Sequence, residues 1–393
     1  MIPRHRPSFG VWSALRTLTA AASPSVEGLE HALARSCGVR DAVLLPSVRA
    51  GIRWALTLAG RAGDEVVAPA YTCSVVHEAI IRAARRPRLL DVRPGEFLMD
   101  TSAVGEHLRQ ARSVVLCELF GLTYDLRAIP APVEPPTLRI IDAAMAVPTA
   151  QLCARLAPTD VMLVSCGLGK SCYAGWGALG FVQDRGLATK LREIRAVTQD
   201  RVGRAAALRR ATSVLLRTLA HWEPVYRYAR QFVGEPGWGE APADGDLDLL
   251  LDERFSQTPE SPEWHVAPTA AERRLISLVL RHAEADCSRR EVLVARYLER
   301  LRRIPGVRCP VGATGALSHF SIGIPEEIRP GLRERLRASG VDAGLLFPYP
   351  SYLPRSAFPN ARRAGSEVIN LPVHHRVTPT LVDEICAEVS AGR

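Results

Sequence analysis

Short apolar runs alternate with stretches of helical spacing through the first half of the chain. Ala42–Leu45, Glu65–Pro69, Arg88–Val92, Ser113–Cys117, Leu138–Asp142 and Val161–Val164 read as strands. Val26–Cys37, Pro46–Ala59, Ser74–Ala84 and Val104–Arg109 read as helices between them, the first with Leu29, Leu33 and Ala34 on one face. Ser47 is a suitable N-cap for the second. A glycine-broken run from Gly175 to Val182 leads into a further apolar strand. An extended arm, Ile2–Phe9, and a short helix candidate, Val11–Ala22, precede these units. Strands alternating with helices predict an α/β fold on a mainly parallel sheet. In such sheets the chemistry gathers at the carboxyl ends of the strands.

The pattern then changes. Residues 186–233 are helical and arginine-rich, with an apolar run at Val214–Leu216. Residues 234–262 are rich in Pro, Gly, Asp and Glu and read as a loop. Leu275–Leu301 reads as one long helix, apolar at 275, 276, 279, 280 and 283. Strands at Ser318–Ile324 and Val341–Phe347, with helices at Pro330–Ser339 and Thr378–Ser390, suggest a smaller α+β domain. The expected division is 1–265 for the arm and large domain, with an insertion at about 200–262, and 266–393 for a linker helix and small domain.

Composition narrows the class. The chain has 393 residues, 47% of them hydrophobic, which suits a folded protein of two domains. No apolar run reaches the roughly 18 residues of a spanning helix. The first residues lack the apolar core of a signal peptide. Nine scattered cysteines without CxxC spacing suggest neither zinc nor a disulfide framework, so a reducing cytoplasm is expected. The net charge of +9 comes from arginines interspersed with acids, not from a basic block, so no nucleic-acid partner is expected. An anionic small substrate is compatible with it. Ala207, Ala211, Val214, Leu215, Thr218, Leu219 and Trp222 form one helical face. It suits a core or dimer contact, or docking on a membrane or carrier protein. His319, His374 and His375 show no metal-ligand spacing, and no metal is expected.

Only two residues are lysine, Lys170 and Lys190, which leaves 48 of the 50 basic residues as arginine. Lys170 stands in the most glycine-dense stretch, Ser165-Cys-Gly-Leu-Gly-Lys170, just past a strand. A lysine shielded there can form an imine, which arginine cannot. A phosphate ligand or an exposed loop residue are the other readings. Asp142 ends a strand 28 residues earlier, and Ser165 lies five residues before the lysine. Ser47 begins a helix directly after a strand, a ready anion site. Arg49 lies in that first turn, unfavourable for the helix dipole unless a phosphate binds there; a solvated arginine is the alternative. Asp142 and Lys170 could be a structural ion pair. With Ser165, however, they supply what pyridoxal phosphate needs: an acid for the ring nitrogen, a lysine for the aldehyde, and a hydroxyl and helix end for the phosphate.

At these residues the chain resembles the DegT/DnrJ/EryC1/StrS family of fold-type-I, pyridoxal-phosphate-dependent sugar aminotransferases. Val66-Val-Ala-Pro-Ala-Tyr-Thr72, Pro87-Arg-Leu-Leu-Asp-Val92, Leu119-Phe-Gly121, Ile140-Ile-Asp-Ala-Ala144 and Glu367-Val-Ile-Asn-Leu-Pro372 are similar to its motifs in order. Ser165 and Lys170 match its "SFHPTK". The resemblance implies Lys170 as the Schiff-base lysine and Asp142 as the pyridinium partner. It places Ser165 and the Ser47-Val48-Arg49 turn at the phosphate. Tyr71, Cys73 and Met145 fall at ring-contacting positions. It further implies a homodimer with shared active sites and an amino donor such as Glu or Gln. The acceptor would be a nucleotide-linked keto sugar or a related natural-product intermediate. Departures concern the substrate shell: Met145 replaces a Gln, Cys166-Gly167 replace Phe-His, and Leu346-Phe347-Pro348 replace "HYP". Elimination or carbon–carbon bond formation on the same cofactor is the first alternative, and a non-catalytic regulatory homologue the second.

Overall fold

A computed structural model describes residues 1–108, 111–129, 138–232, 246–255, 259–261, 264–312 and 315–391. The chain opens with α1 (Val11–Thr19), α2 (Val26–Cys37), β1 (Asp41–Leu45), α3 (Val48–Leu58), β2 (Glu65–Pro69) and α4 (Ser74–Arg82). Then come β3 (Arg86–Leu90), α5 (Val104–His107), β4 (Ser113–Cys117), β5 (Leu138–Asp142), α6 (Ala150–Cys153), β6 (Asp160–Ser165) and β7 (Ala178–Val182). The seven strands form one sheet in the order β1-β7-β6-β5-β4-β2-β3. β7 runs against its neighbours β1 and β6, and the pairs from β6 to β3 are parallel. The carboxyl ends of β1, β2, β4, β5 and β6 therefore open on one edge, where β7 begins.

Side chains alternate across the sheet, so each strand feeds two cores. Val43 and Leu45 of β1 join Ile52 of α3 and Ile80 of α4 on one face. Ala42 and Leu44 join Leu29 and Leu33 of α2 on the other. Helices cover both faces, which is why these strands read as continuous apolar runs.

A helical segment follows: α7 (Arg185–Thr198), α8 (Arg204–Ala220), α9 (Glu223–Phe232) and α10 (Leu247–Phe255). α11 (Ala270–Arg281) and α12 (Ala283–Leu301) lead to β8 (His319–Gly323), α13 (Arg329–Ala338), α14 (Pro359–Glu367), β9 (Val368–Pro372) and α15 (Pro379–Ala391). β8 and β9 pair antiparallel. The arm packs beside them. Ile2 N donates to Gly340 O at 2.7 Å and Arg4 Nε to Asp342 at 2.8 Å.

Four expectations change. The helix read as 275–301 is two helices, broken at His282 (φ −107°, ψ 2°) without a proline or glycine to mark it. The first begins earlier, at a capping box of Thr269 and Glu272. The stretch 186–233 read as helical is likewise broken, at Gln199–Gly203 and His221–Trp222, and its last residue lies outside the described ones. The segment read as a loop, 234–262, holds α10, whose Leu251 and Phe255 are buried; 234–245, 256–258 and 262 lie outside the described residues. Val341–Phe347 is not a strand. It makes single bridges, Val341 to Ile2 and Gly344 to Asn370, and Phe347 then turns to φ 59°, which ends extended pairing.

Candidate active site at the strand ends

A cleft of about 410 Å3 opens on the shared sheet edge. Its walls include Ser47, Val48 and Arg49 at the start of α3, Cys73 beyond β2 and Asp142 at the end of β5. Met145, Ser165 at the end of β6, and Lys170 complete the group expected from the sequence. Tyr71 does not join them. It is wholly buried in the core, and its hydroxyl has no hydrogen-bond partner among the described residues. Thr72 and Cys73 form the cleft wall there instead, while the large ring gains more from apolar burial.

The floor is charged and shielded. Asp142 Oδ1 accepts a hydrogen bond from Ala144 N at 3.0 Å. Burial pushes the Asp142 pKa up, with the Lys170 charge and the Ala144 N–H pulling the other way. Half-buried Lys170 donates from Nζ to Met145 Sδ at 3.2 Å. The position that removes an amide from this wall thus supplies a soft acceptor for the lysine. Ser165 Oγ accepts from Gly167 N at 3.2 Å. Ser47 Oγ caps α3 by accepting from Ala50 N at 3.2 Å. Arg49 lies 5.9 Å from the Trp264 ring, with Arg53 and Arg82 near the same indole, so this first-turn cation has an aromatic contact.

The sequence reading missed the lip. α8 reaches the cleft with Arg210, Ser213, Val214 and Arg217. Arg210 forks onto Glu272 of α11 at 2.9 and 2.6 Å and lies 4.6 Å from the Trp176 ring. Burial pushes the Glu272 pKa up, opposed by Arg210. Two glycines permit this closure. A Cβ on Gly175 (φ +101°) would meet Val214 at 2.7 Å, and one on Gly177 (φ +106°) would meet Pro268 at 2.7 Å. Arg217 is exposed, lines the cleft and makes no ion pair among the described residues. Its seven-residue spacing from Arg210, two helical turns, was the available signal. Tyr173, Trp176 and Phe347 complete the walls.

These residues suit pyridoxal phosphate. Asp142 and Lys170 share one cleft, a helix N-terminus faces it, and Thr72 Oγ1 lies buried on its wall with no partner among the described residues. Fold and site together define a fold-type-I aminotransferase. The profile of the DegT/DnrJ/EryC1/StrS aminotransferase family matches residues 11–207 and 275–390, and the chain belongs to that family. Its enzymes depend on pyridoxal 5'-phosphate.

The chain is 23% identical over 367 residues to dTDP-3-amino-3,4,6-trideoxy-alpha-D-glucose transaminase of Streptomyces venezuelae, covering 89% of this chain and 82% of that one. It is 27% identical over 128 residues to the erythromycin biosynthesis sensory transduction protein EryC1 of Saccharopolyspora erythraea. That match covers 30% of this chain and 35% of the relative. The crystal structure of sugar aminotransferase CalS13 from Micromonospora echinospora superposes with a TM-score of 0.70 at 18% identity, covering 100% of both chains. Among the described residues no helix is long and apolar enough to cross a membrane.

Proposed function

We propose that this enzyme moves an amino group from an amino acid, Glu or Gln, to a keto sugar carrying an anionic handle such as a nucleotide diphosphate. The observation that carries the reading is the pairing of Asp142 and Lys170 across one cleft at neighbouring strand ends. When bound, pyridoxal phosphate would supply an aldehyde for amines and a ring that withdraws electrons. Lys170 would be the amine for that aldehyde, and its Nζ would hold or move the proton to be transferred. Asp142 would hold the positive ring nitrogen by charge. Ser165, Thr72 and the first turn of α3 would hold the phosphate. Tyr173 and Trp176 limit water access, and Arg217 takes the anionic handle. The sugar class follows the relatives, and the uncommitted Arg217 fits the dTDP group in the name of the Streptomyces venezuelae transaminase. A homodimer with shared sites is part of the reading.

Three measurements test it. Protein purified with pyridoxal phosphate should be yellow, and borohydride should fix the cofactor to Lys170. Lys170→Ala should lose both properties. Protein that neither binds nor traps the cofactor would end the proposal. Glutamate alone should bleach the colour. Trapping at Lys170 without bleaching by any amino donor would point to elimination or carbon–carbon chemistry, which the Met145 thioether beside Lys170 would then mark.

A further inference from the structure

Behind Lys170, a second cavity of about 10 Å3 is lined by His5, Lys170, Ser171, Arg290 and His319, among others. His5 Nε2, Ser171 Oγ and His319 Nε2 are sealed from solvent and have no hydrogen-bond partner among the described residues. Ser171 is 8% exposed and His319 2%. The neighbouring groups are already engaged. His319 Nδ1 pairs with Ser318 Oγ at 3.1 Å, and His374 Nε2 with Pro3 O at 2.8 Å. Arg290 donates to Asp286 at 2.7 Å and to Val373 O at 2.8 Å, and Arg6 to Glu223 at 2.9 Å.

Buried polar atoms without partners are rare and destabilising, so three such atoms on residues that line one cavity call for a common partner. The volume is on the order of the 10–15 Å3 that one water needs, and a water takes two to four polar contacts. No carboxylate lines the cavity and Arg290 does, which disfavours a cation. Among the described residues no histidine, cysteine or acid cluster could hold a metal.

We propose that one water molecule, bound by His5 Nε2, Ser171 Oγ and His319 Nε2, ties the arm, the lysine loop and β8 together behind Lys170. The three are positioning residues for that loop. A water both donates and accepts, so either tautomer of each imidazole is accommodated. The site stands on the cavity alone and does not depend on the proposed reaction.

High-resolution diffraction from crystals of the full chain should show one isolated peak about 2.7–3.2 Å from all three atoms. An empty cavity, or a peak with the anomalous signal of chloride, would overturn the proposal. Hydrogen exchange followed by mass spectrometry gives a second measurement. Ser171→Ala should speed amide exchange in peptides covering the lysine loop by roughly five- to tenfold, about one hydrogen bond. Peptides covering Lys190 should be unchanged. Wild-type exchange in the loop would also refute it, because a Ser171 hydroxyl without a bound water makes no contact to lose.

Discussion

Lys170 stands between two unlike regions. In front lies a cleft of about 410 Å3, with Asp142, Arg217 and a helix end around it. Behind lies a cavity of about 10 Å3 bordered by His5, His319, His374 and the Arg290 guanidinium. Under the proposed function the front needs room and charge, because a phosphate and a substrate would enter there. The back needs shielding, because a loop that aims one amine must not yield. The glycines that let the loop form would otherwise leave it loose, and packing from the arm and β8 holds it. Tyr173 marks the boundary: it lines the cleft, yet its ring stacks on Phe9 and meets His5 edge-on from the arm.

Acid should break the back first, and this is the largest effect expected. Burial lowers the His319 and His374 pKa values to about 3 and that of His77 to about 4. Their ordinary value is about 6.5. The unfolded chain therefore binds more protons between pH 6.5 and the folded values. Stability is present above about pH 6.5 and is lost as pH falls. Buried Asp142, Glu118 and Glu272 have raised pKa values and act with the opposite sign. His5 and His375 are lowered too and act with the same sign as His319 and His374. His319 and His374 alone should cost on the order of 5 kcal/mol by about pH 4.5. Calorimetry should show Tm falling by roughly 6 °C from neutral pH for that loss. A flat profile would mean the imidazoles are protonated in the folded state.

Front-side variants should strike activity; of these, Arg217→Gln should leave that acid profile alone, whereas Lys170 helps lower His319 and Asp142 titrates in the same cleft. Lys170→Ala should lower kcat on the order of 10³- to 10⁴-fold, the worth of a positioned proton carrier, in steady-state transamination assays. Asp142→Asn should cost about 10²-fold in kcat while the colour persists, because the carboxylate supports the ring charge and does not bond the aldehyde. The smallest effect belongs to the lip. Arg217→Gln should raise KM for an anionic substrate about tenfold or more with little change in kcat, the loss of one charge-assisted hydrogen bond. Equal KM values in variant and wild type would remove Arg217 from substrate binding. A melting profile disturbed by Arg217→Gln would show that lip and back are not separable.

The front is largely legible in the sequence. β1, β2 and β4–β6 are apolar on both faces, and their order with intervening helices implies a common edge. Asp142, Ser165 and Lys170 follow directly from strand ends, so local sequence places them. Tyr71 shows the limit. Its neighbourhood was right, but the hydrophobicity of one ring decided between core and cleft, and that depends on what surrounds it. Val341–Phe347 looked like a strand by composition, yet the turn at Phe347 left only isolated bridges.

Lys170, Asp142 and Ser165 belong to the chain's own pattern, since each sits at or a few residues past the end of a strand that a continuous buried run defines. The lip and the back do not. Arg210 and Glu272 come from different helices, and the Gly175 and Gly177 backbones admit α8 and Pro268 by close approach. His5, Ser171 and His319 lie far apart along the chain, and no spacing rule links them. Packing of the arm, the loop and β8 brings them to one cavity, because contacts between remote segments are set by the shape each leaves for the other.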